Sequence, residues 1–496
     1  MTISECLEPK SSVCKSKIYR KTEKYAEFAS KYVKFQVKCV YKINRPCYII
    51  KYVCISSTLL VTEGFTVKEY KVGIIGFGTV GAGVAENIIA NGDMISQRNG
   101  VKLTVAKIAD LDITTDRGVK VPEGVLTTDA SAAIKECDII VETVGGTTIA
   151  KKFILDAINA GKAVVTANKA LLSLHGKELF AAAEKAGTDL FYEASVAGGI
   201  PIIKSLREGL SSNRIRRIYG IMNGTCNYIL TRMEREGADF ATVLADAQKL
   251  GYAEANPSLD IDGFDTAHKT SILASLAYGE WFGLDPVHVE GIRDLEIEDI
   301  RCAAELGYRI KLLGIIKDED GAVQMRVHPT LIPCGSLLAN ISDVFNGVMV
   351  DGDFVDQTLF YGRGAGRRAT ASAVVADIID AARNLSSNCV RRIPAFRKGV
   401  QFDKVLAPEE ISSRYYLRLL VKDCPGVIAS ITQILADRSI SISSLIQHET
   451  RGKDGEVNLV ILTHPAVEKD MRSALSEIGI LSINQSPVKV LRIEDL

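Results

Sequence analysis

The sequence predicts an α/β protein with three folded parts: a doubly wound parallel sheet over residues 67–200, an α+β domain over 201–399 and a ferredoxin-like domain over 414–496. Strands alternate with helices of similar length through the first part, which is the pattern of a parallel sheet. The last part has the order βαββαβ, which is ferredoxin-like. Residues 400–413 are a plausible linker.

A glycine-rich turn lies between the first strand, residues 71–75, and a helix-forming stretch at 82–90. The turn consists of Gly76, Phe77, Gly78, Thr79, Val80 and Gly81. In a dinucleotide fingerprint the first glycine allows a tight turn, the second admits the pyrophosphate and the third lets helix and strand pack closely. The phosphates would lie at the helix N-terminus. The sequence therefore predicts a Rossmann domain; the alternative is a tight turn without a ligand.

The second strand, residues 103–109, ends in Asp110. An acid at this position would bind the adenosine ribose 2′-hydroxyl and disfavour a 2′-phosphate, so the sequence favours NAD over NADP. The acid lies further from the glycines than the usual ~20 residues. The first helix must therefore be long or carry an insertion at 91–100. Asp110 could equally cap the end of its strand.

Three more strands and two helices continue the alternation. The strands are residues 138–142, 163–166 and 189–194, and the helices are 150–160 and 171–186. Functional groups collect at the carboxyl ends of parallel strands. Thr143 and Lys169 lie at such ends, so Thr143 is a candidate cofactor contact and Lys169 a candidate ligand or catalytic group. The alternative for Lys169 is a solvated lysine at a helix start.

An acid and a lysine lie on the apolar stripe of a helix that begins after Gly263. Asp265, Lys269, Leu273 and Leu276 are spaced so that they share one face. Burying such charges is costly unless they are paired or used. A buried lysine also shifts its pKa readily, which suits acid–base chemistry. The alternative is an ordinary ion pair on a solvated surface, which would contribute little.

Seven stretches together resemble homoserine dehydrogenase with a C-terminal ACT domain. They are residues 73–81, 166–170, 192–201, 221–230, 251–254, 260–269 and 361–366. The resemblance implies hydride transfer between L-aspartate 4-semialdehyde and L-homoserine with a nicotinamide cofactor, in threonine and methionine synthesis. It also implies that residues 201–399 bind substrate and form a dimer contact, within a homodimer or homotetramer.

The resemblance assigns roles to individual residues. Lys269 matches the proton donor or relay at the carbonyl oxygen, and Lys169, beside nicotinamide and substrate, is its rival. A cationic acid at that oxygen would stabilise the developing negative charge. Glu254 and Asp265 match acids that hold the substrate ammonium group and a water, and Asp260 belongs to the same cluster. Gly364 matches a cofactor contact.

A monovalent cation site, usually sodium, is also implied by the resemblance. Its residues are Glu193, Val196, Gly198 and Ile200, which act largely through backbone carbonyls. Hard oxygen ligands fit such an ion.

The C-terminal part resembles an ACT domain, a module that binds small amino acids at subunit interfaces. The candidate effector loop is Asp423, Pro425, Gly426 and Val427. We expect threonine to be a feedback inhibitor. The alternatives are an oligomerisation module without an effector and, for the whole chain, an amino-acid sensor with a vestigial dehydrogenase core. A different amino-acid dehydrogenase on the same scaffold is a third possibility.

The composition excludes few classes directly. Lys and Arg total 60 against 60 Asp and Glu, so nothing indicates a nucleic acid or charged membrane partner. No uncharged apolar run reaches the length of a membrane span. The cysteines of the three folded parts are scattered and lack zinc spacing, as expected for a reducing compartment such as the cytoplasm.

Residues 1–66 do not share these patterns. They hold five of the eleven cysteines and an excess of lysine over acids. We expect this segment to be poorly ordered. Our hypothesis is an over-long gene start, with native initiation at a non-AUG codon for Val67.

Overall fold

The computed structural model describes residues 35–40, 50–55, 67–394, 404–447 and 455–496. In the N-terminal segment, strands β1 (Phe35–Val40) and β2 (Ile50–Ile55) pair antiparallel. These two strands belong to a different structural unit from residues 68–496. The predictions of disorder before residue 67 and of initiation at Val67 otherwise lie outside the described residues.

The nucleotide-binding part is a six-stranded parallel sheet with the strand order β5-β4-β3-β6-β7-β8. Its strands are β3 (Lys68–Ile75), β4 (Val101–Ala109), β5 (Leu126–Thr127), β6 (Ile139–Glu142), β7 (Ala163–Thr166) and β8 (Leu190–Phe191). Its helices are α1 (Thr79–Asn99), α2 (Ala130–Glu136), α3 (Ile149–Asn159) and α4 (Lys169–Ala186). Counted within the sheet, this is the 3-2-1-4-5-6 order of a Rossmann fold, which confirms the predicted class.

Two local features differ from the sequence-based expectations, and the structure decides one alternative that the sequence left open. Helix α1 is one continuous element of 21 residues, which explains the long spacing between the glycines and Asp110 without an insertion. Strand β5 was not predicted, because two residues are too few to show a period. The strand expected at 189–194 is limited to Leu190–Phe191, and Glu193–Ser195 forms a 3-10 turn instead.

The second domain contains a mixed sheet with helices, as expected. Its strands are β9 (Ile215–Ile221), β10 (His288–Val289), β11 (Tyr308–Glu319), β12 (Ala322–Pro333), β13 (Phe345–Gly352) and β14 (Asp356–Arg363). Its helices are α5 (Ile202–Lys204), continued by a π turn at Ser205–Gly209, α6 (Gly224–Glu236), α7 (Phe240–Lys249), α8 (Ser258–Ile261), α9 (Phe264–Tyr278), α10 (Ile297–Glu305) and α11 (Arg367–Ser386), with a 3-10 turn at Leu338–Asn340.

Helix α11 returns to the nucleotide-binding core, although the predicted boundary places it in the second domain. Its buried Val374 and Ile378 belong to the same apolar cluster as Ile74 of β3. It lies so close to α1 that a Cβ on Gly83 would be 2.8 Å from the carbonyl oxygen of Arg367. The chain therefore crosses between the two parts twice.

The C-terminal domain is ferredoxin-like, with the strand order β20-β16-β18-β17. Its elements are β16 (Ser412–Lys422), α12 (Val427–Ala436), β17 (Ile442–Gln447), β18 (Glu456–Thr463), β19 (Ala466–Val467), α13 (Glu468–Gly479) and β20 (Lys489–Ile493). The predicted linker is partly structured, because β15 (Lys404–Val405) pairs with β12, Pro408–Glu410 forms a 3-10 turn, and β16 begins at Ser412.

The C-terminal sheet continues the sheet of the second domain. Strand β20 pairs in parallel with β12, with Thr330 opposite Arg492 and Leu331 opposite Ile493. Across this seam the buried Arg326 donates to Glu494 and Ser413. Within the described stretches, no helix combines the length and apolar character that crossing a membrane requires.

Candidate active site

The glycine turn packs tightly against the neighbouring strand. Gly76 has φ +100°, and a Cβ there would lie 2.6 Å from the carbonyl of Thr143. A Cβ on Gly81 would lie 1.9 Å from the carbonyl oxygen of Gly76, which also accepts a 2.8 Å hydrogen bond from Thr143 Oγ1. Both positions therefore require glycine. A Cβ on Gly78 would meet no atom within 4 Å, so Gly78 faces open space.

Helix α1 begins directly at this open space. Its N-cap, Gly78, makes no side-chain cap, and no acid lies in the first turn, which contains Thr79 and Val80. Unpaired N–H groups at a helix N-terminus attract anions. The side chain of Phe77 is instead buried in the core at 4% exposure, so only its backbone belongs to the turn.

Asp110 lies beside the turn at the end of β4. Its carboxylate accepts hydrogen bonds from the backbone N–H groups of Phe77 and Asp112. It therefore caps local backbone, as the alternative reading held, and each of its oxygens retains a second lone pair. Nearby, Arg117 forms an ion pair with Asp112 at 3.0 Å.

Glu142 was not selected from the sequence, where it is only the last residue of a strand. It is fully buried, and its carboxylate accepts from the N–H groups of Val144 and Gly145 and from the hydroxyl of Thr166 at 2.6 Å. Burial raises the pKa of this carboxyl. Glu142 thus links the carboxyl ends of β6 and β7 by hydrogen bonds.

The predicted lysines and acids come together at the start of α9. Asp265 and Lys269 are 4% and 7% exposed, which confirms the inward position and excludes a solvated surface pair. Lys269 Nζ lies 2.6 Å from Asp265 Oδ2, and Lys169 Nζ lies 3.1 Å from Asp265 Oδ1. One carboxylate is therefore held between two ammonium groups, one from each of the first two domains.

Asn223 completes this cluster and was also not selected as a site residue. Its Nδ2 donates to Asp260 at 2.7 Å and to Asp265 at 2.8 Å. Its Oδ1 accepts from the N–H of Cys226 at 2.8 Å and so caps α6. One amide therefore fixes a helix start and holds two acids together. The signal was present in the sequence, because Asn is a preferred N-cap residue.

The cluster changes the proton affinity of its members. Burial opposes ionisation of Asp265, yet Lys269 and Lys169 hold the pKa of its carboxyl well below its usual range. Burial lowers the pKa of Lys269, with Lys169 acting in the same direction. The charge of Asp265 raises the pKa of Lys169. Burial raises the pKa of Asp260. The two lysines therefore differ in acidity.

Glu254 and Cys226 lie at the edge of this cluster. Glu254 is exposed in the loop after α7, and its charge contributes to the raised pKa of Lys169. Cys226 is buried and donates to the carbonyl oxygen of Asp260, and burial raises the pKa of its thiol well above the usual value. A protonated, hydrogen-bonded thiol fits a packing role.

The four residues of the expected cation site lie on the turn between β8 and α5. The carboxylate of Glu193 accepts from the N–H groups of Ile203 at 2.9 Å and Lys204 at 2.7 Å, so it caps α5. Ala197 and Gly198 follow with φ +53° and +52°, which turns the backbone of Val196–Ile200 sharply. Among the described residues, no three His, Cys, Asp or Glu side chains come together as metal ligands.

Gly364 packs against that turn. A Cβ on Gly198 would lie 2.4 Å from the carbonyl oxygen of Gly364, and Gly199 N–H donates to the carbonyl of Arg363 at 3.1 Å. A Cβ on Gly364 would meet the side chain of Asn346 at 2.1 Å. The segment carrying Gly364 therefore closes onto the cation turn by backbone contact.

The expected effector loop lines a cavity of about 190 Å³ in the C-terminal domain. Asp423, Pro425, Gly426 and Val427 form one side, and Gln447 of β17 lies on another. Gly426 has φ +95° and precedes α12 as its N-cap. The site is large enough for a small amino acid, and helix α12 points its N-terminus at it.

The fold and the paired lysines together define a dinucleotide-dependent oxidoreductase with an appended ACT-like domain. Sequence profiles agree: "Homoserine dehydrogenase" matches residues 201–379, "Homoserine dehydrogenase, NAD binding domain" matches 76–193 and "ACT domain" matches 415–479. A homoserine dehydrogenase of Neisseria gonorrhoeae is 45% identical over 434 residues, which cover 86% of this chain and 99% of the relative.

Solved structures give the same result. A homoserine dehydrogenase from Thiobacillus denitrificans has a TM-score of 0.81 at 44% identity, covering 86% of this chain and 99% of that one. A hyperthermophilic archaeal homoserine dehydrogenase in complex with NADPH has a TM-score of 0.53 at 28% identity, covering 63% and 97%. The chain belongs to the homoserine dehydrogenase family and is an oxidoreductase with an NAD-binding domain.

Proposed function

We propose that this enzyme interconverts L-aspartate 4-semialdehyde and L-homoserine in threonine and methionine synthesis. The observation that carries the proposal is the buried carboxylate of Asp265, held between Lys169 and Lys269. Lys169 is supplied by the nucleotide-binding domain and the other two residues by the second domain. A reducible carbonyl at this junction would have cationic groups beside its oxygen and the cofactor domain on one side.

The nucleotide would be held by the glycine turn. The open space at Gly78 and the uncapped start of α1 fit a pyrophosphate, and Gly76, Gly81 and Thr143 keep the turn closed behind it. A bound nicotinamide supplies or accepts the hydride. Gly364 packs against Gly198 and Asn346, where its lack of a side chain lets the backbone come close, and we propose it as a cofactor contact.

Lys269 is our choice for the proton donor. Its pKa is lowered by burial, so it releases a proton to the alkoxide more readily than Lys169, whose pKa is raised by Asp265. Two of its hydrogens point to Asp265 Oδ2 and to the carbonyl oxygen of Met222, each at 2.6 Å. An ammonium group has three hydrogens, which leaves one for the substrate. Lys169 would stabilise the developing charge.

Three acids would hold the substrate ammonium group. Asp260 and Asp265 are joined by Asn223, and the exposed Glu254 lies at the mouth of the same cluster. Orientation by such contacts lowers the barrier because the reacting carbon is held toward the cofactor.

The first experiment is an assay of L-homoserine oxidation with NAD and NADP by the unsubstituted enzyme, Lys269→Met and Lys169→Met. Loss of a general acid–base group reduces kcat by about 10²–10⁴. We expect that loss for Lys269→Met with cofactor binding retained, and a smaller loss for Lys169→Met. The reverse ranking would assign the proton to Lys169. No turnover by the unsubstituted enzyme would favour the amino-acid sensor.

NAD is our proposed cofactor rather than NADP. Asp110 stands where the ribose 2′-hydroxyl would bind, with Asp112 next to it, and the nearby Arg117 is already paired with Asp112. A 2′-phosphate would meet negative charge at this position. The archaeal relative, at 28% identity, was solved in complex with NADPH, so the choice of NAD rests on Asp110 and its neighbours alone. A higher kcat/KM with NADP than with NAD would overturn this assignment.

A monovalent cation, for which we propose sodium, would be bound at Glu193, Val196, Gly198 and Ile200. In the described part of the chain, no hydrogen bond ends on the carbonyl oxygens of Val196 or Gly198, which are both buried. Buried carbonyls without a donor fit an ion. Since the Glu193 carboxylate is taken by α5, its contribution would come from the carbonyl. Activity that is equal in sodium and in tetramethylammonium buffers would contradict this site.

Threonine is our proposed effector. The cavity at Asp423–Val427 combines backbone N–H groups of an uncapped helix start with an acid, which matches a small zwitterion. We expect threonine to raise the thermal midpoint and inhibit the enzyme, and Gly426→Val to abolish both effects while catalysis without threonine is unchanged. If threonine changes neither property of the unsubstituted enzyme, the domain is an oligomerisation module.

We propose a homodimer or a homotetramer formed through the second domain. Strand β14 lies at the edge of the twelve-stranded sheet, and the exposed Phe354 and Tyr361, at 86% and 57%, lie beside or on it. An open edge with apolar side chains favours pairing with another chain. Light scattering would show a monomer if this is incorrect. The six cysteines in the described residues from 67 onward are free thiols, which supports our proposal of a cytoplasmic enzyme.

A further inference from the structure

Residues 290–296, here called the bridging segment, contact both the backbone between Asp260 and Asp265 and the C-terminal domain. The segment follows β10 and precedes α10. Nothing in its sequence marks it as part of the site, since it has no motif and contributes no group to the ion cluster. Its contacts, however, hold the loop that runs from α8, which carries Asp260, to α9, which carries Asp265.

The middle of the bridging segment packs directly on that loop. A Cβ on Gly291 would lie 2.2 Å from the carbonyl oxygen of Ile261, so the two backbones touch. Ile292 N–H donates to the same oxygen at 2.7 Å. Arg293 forms a two-point ion pair with Asp262, at 2.9 and 3.0 Å. The loop between Asp260 and α9 is therefore fixed by this segment.

The N-terminal end of the segment is anchored by the last strand of the C-terminal domain. Arg492 donates to both carboxylate oxygens of Glu290, at 2.6 and 2.9 Å. Arg492 is 5% exposed and is itself held by Glu468 at the start of α13. The carbonyl oxygen of Glu290 would lie 3.2 Å from a Cβ on Gly263, the residue just before α9. Glu290 therefore contacts Arg492 through its carboxylate and the start of α9, the helix of Asp265 and Lys269, through its backbone.

The C-terminal end of the segment is anchored in the same way. Lys489 donates to the carbonyl oxygen of Asp294 at 2.9 Å and pairs with Glu296 at 2.9 Å. Arg418 of β16 binds Glu296 at 2.8 Å and Asp299 at 2.7 Å. Three basic residues of the C-terminal domain thus hold both ends of a segment whose middle supports the substrate acids.

We propose that Glu290, Arg293 and Arg492 are positioning residues for substrate binding, so that the C-terminal domain takes part in setting the affinity for the amino-acid substrate. The inference rests on the proposed function, because the acids concerned are those proposed to hold the ammonium group. Small displacements of such groups have large effects on reactions that depend on orientation.

The test compares Glu290→Gln and Arg293→Met with two matched controls by steady-state kinetics of L-homoserine oxidation. Arg438→Met removes a partly exposed arginine of the C-terminal domain that pairs with Glu477. Arg301→Met removes an exposed arginine close to the bridging segment that pairs with Glu298. Neither control contacts the substrate loop. Arg293 is half exposed, so its replacement has a low risk of misfolding.

We expect Glu290→Gln and Arg293→Met to raise the KM for L-homoserine about tenfold. The KM for NAD and the kcat should change less than about twofold, because the nucleotide turn and the lysines remain in place. Arg293→Lys should restore part of the affinity, since it keeps one charge contact with Asp262. A purely structural role would lower the thermal midpoint and the active fraction without changing this KM.

An unchanged KM for L-homoserine in both variants, with normal turnover by the unsubstituted enzyme, would overturn this inference alone. An equal rise of KM in Arg438→Met would also overturn it, because the effect would then be general to the domain. Absence of turnover by the unsubstituted enzyme with L-homoserine would overturn the proposed function and this inference with it.

Discussion

At the scale of single residues, the site depends on one amide as much as on its charges. Asp260 and Asp265 would repel each other, and Asn223 donates to both. The same side chain caps α6. A residue with two roles is difficult to select from sequence, because its capping role already explains its presence.

Substitutions of Asn223 separate these roles. Asn223→Ser retains a capping oxygen but cannot reach both acids, so we expect near-normal stability and an increased KM for L-homoserine. Asn223→Ala should lose about 1 kcal/mol of stability as well. Asp239→Ala is the control, since Asp239 caps α7 through Thr242 N–H and lies outside the cluster. Chemical denaturation measures the stability and steady-state kinetics measure the KM. A normal KM for L-homoserine in Asn223→Ser would refute the role of Asn223 in holding Asp260 and Asp265 together.

Lys311 gives a prediction about pH. It is 2% exposed, and within the part of the chain that the structure describes it donates only to neutral oxygens, those of Asn227 and Ile341. Burial lowers its pKa to about 8. In an unfolded chain a lysine keeps its proton to about pH 10.4. Between these values the unfolded state binds more protons, so the free energy of unfolding rises with pH.

The rise attributable to Lys311 should total about 3 kcal/mol between pH 8 and 10.4. Urea unfolding of the enzyme and of Lys311→Met across this range would reveal it as a difference in slope. Lys249→Met, which alters an exposed lysine, should follow the unsubstituted enzyme. Parallel curves for all three proteins would contradict a low pKa at Lys311.

At the scale of elements, the three glycines of the turn are present for two different physical reasons. Gly76 and Gly81 are required by contacts within the protein, whereas Gly78 faces open space. The sequence motif predicts this division of roles. The structure identifies the atoms responsible, because Thr143 at the end of the neighbouring strand lies against Gly76 and Gly81 and not against Gly78.

Gly78→Ala and Gly81→Ala should therefore affect different properties, the first NAD binding and the second stability. We expect Gly78→Ala to change stability by less than about 0.5 kcal/mol while weakening NAD binding, because its methyl group would occupy the pyrophosphate space. Gly81→Ala should lower the free energy of unfolding by about 1–3 kcal/mol through overpacking. Denaturation and fluorescence titration with NADH separate the two outcomes, and normal NADH affinity for Gly78→Ala would place the phosphates elsewhere.

At the scale of the whole molecule, the second and C-terminal domains share one sheet rather than a flexible connection. Strand β20 pairs with β12, and Arg326 and Lys317 of the second domain meet Glu494 of the last segment. Arg326 is 1% exposed. A charge buried this deeply depends on its partner. The C-terminal domain that resembles an ACT domain is thus joined to the second domain by a shared sheet and by buried ion pairs.

Glu494→Gln should test this dependence. Removing the charge leaves Arg326 and Lys317 without a counter-charge, and we expect the free energy of unfolding to fall by about 3 kcal/mol. Adding Arg326→Met should recover part of the loss. Glu477→Gln breaks the more exposed pair with Arg438 and should cost less than about 1 kcal/mol. Equal losses of unfolding free energy in Glu494→Gln and Glu477→Gln would show that the buried ion pairs of Glu494 contribute no more than the exposed pair.

The sequence by itself determined most of the local elements and the residue types from which the site chemistry is proposed. The alternation of strands and helices, the glycine turn and the spacing of Asp265 and Lys269 depend on periods of two or 3.6 residues and on backbone rules that act over short distances. These features predicted the Rossmann fold, the ferredoxin-like domain and the buried ion pair, which the structure confirms.

The tertiary structure decided which distant residues meet. It paired Lys169 with Asp265, placed Asn223 between two acids, returned α11 to the nucleotide-binding core and joined β20 to β12. No local pattern specifies these contacts, because they depend on how separate apolar faces are buried together. The positions of the bridging segment and of Glu142 follow from the same cause, since their hydrogen bonds exist only after the chain has closed.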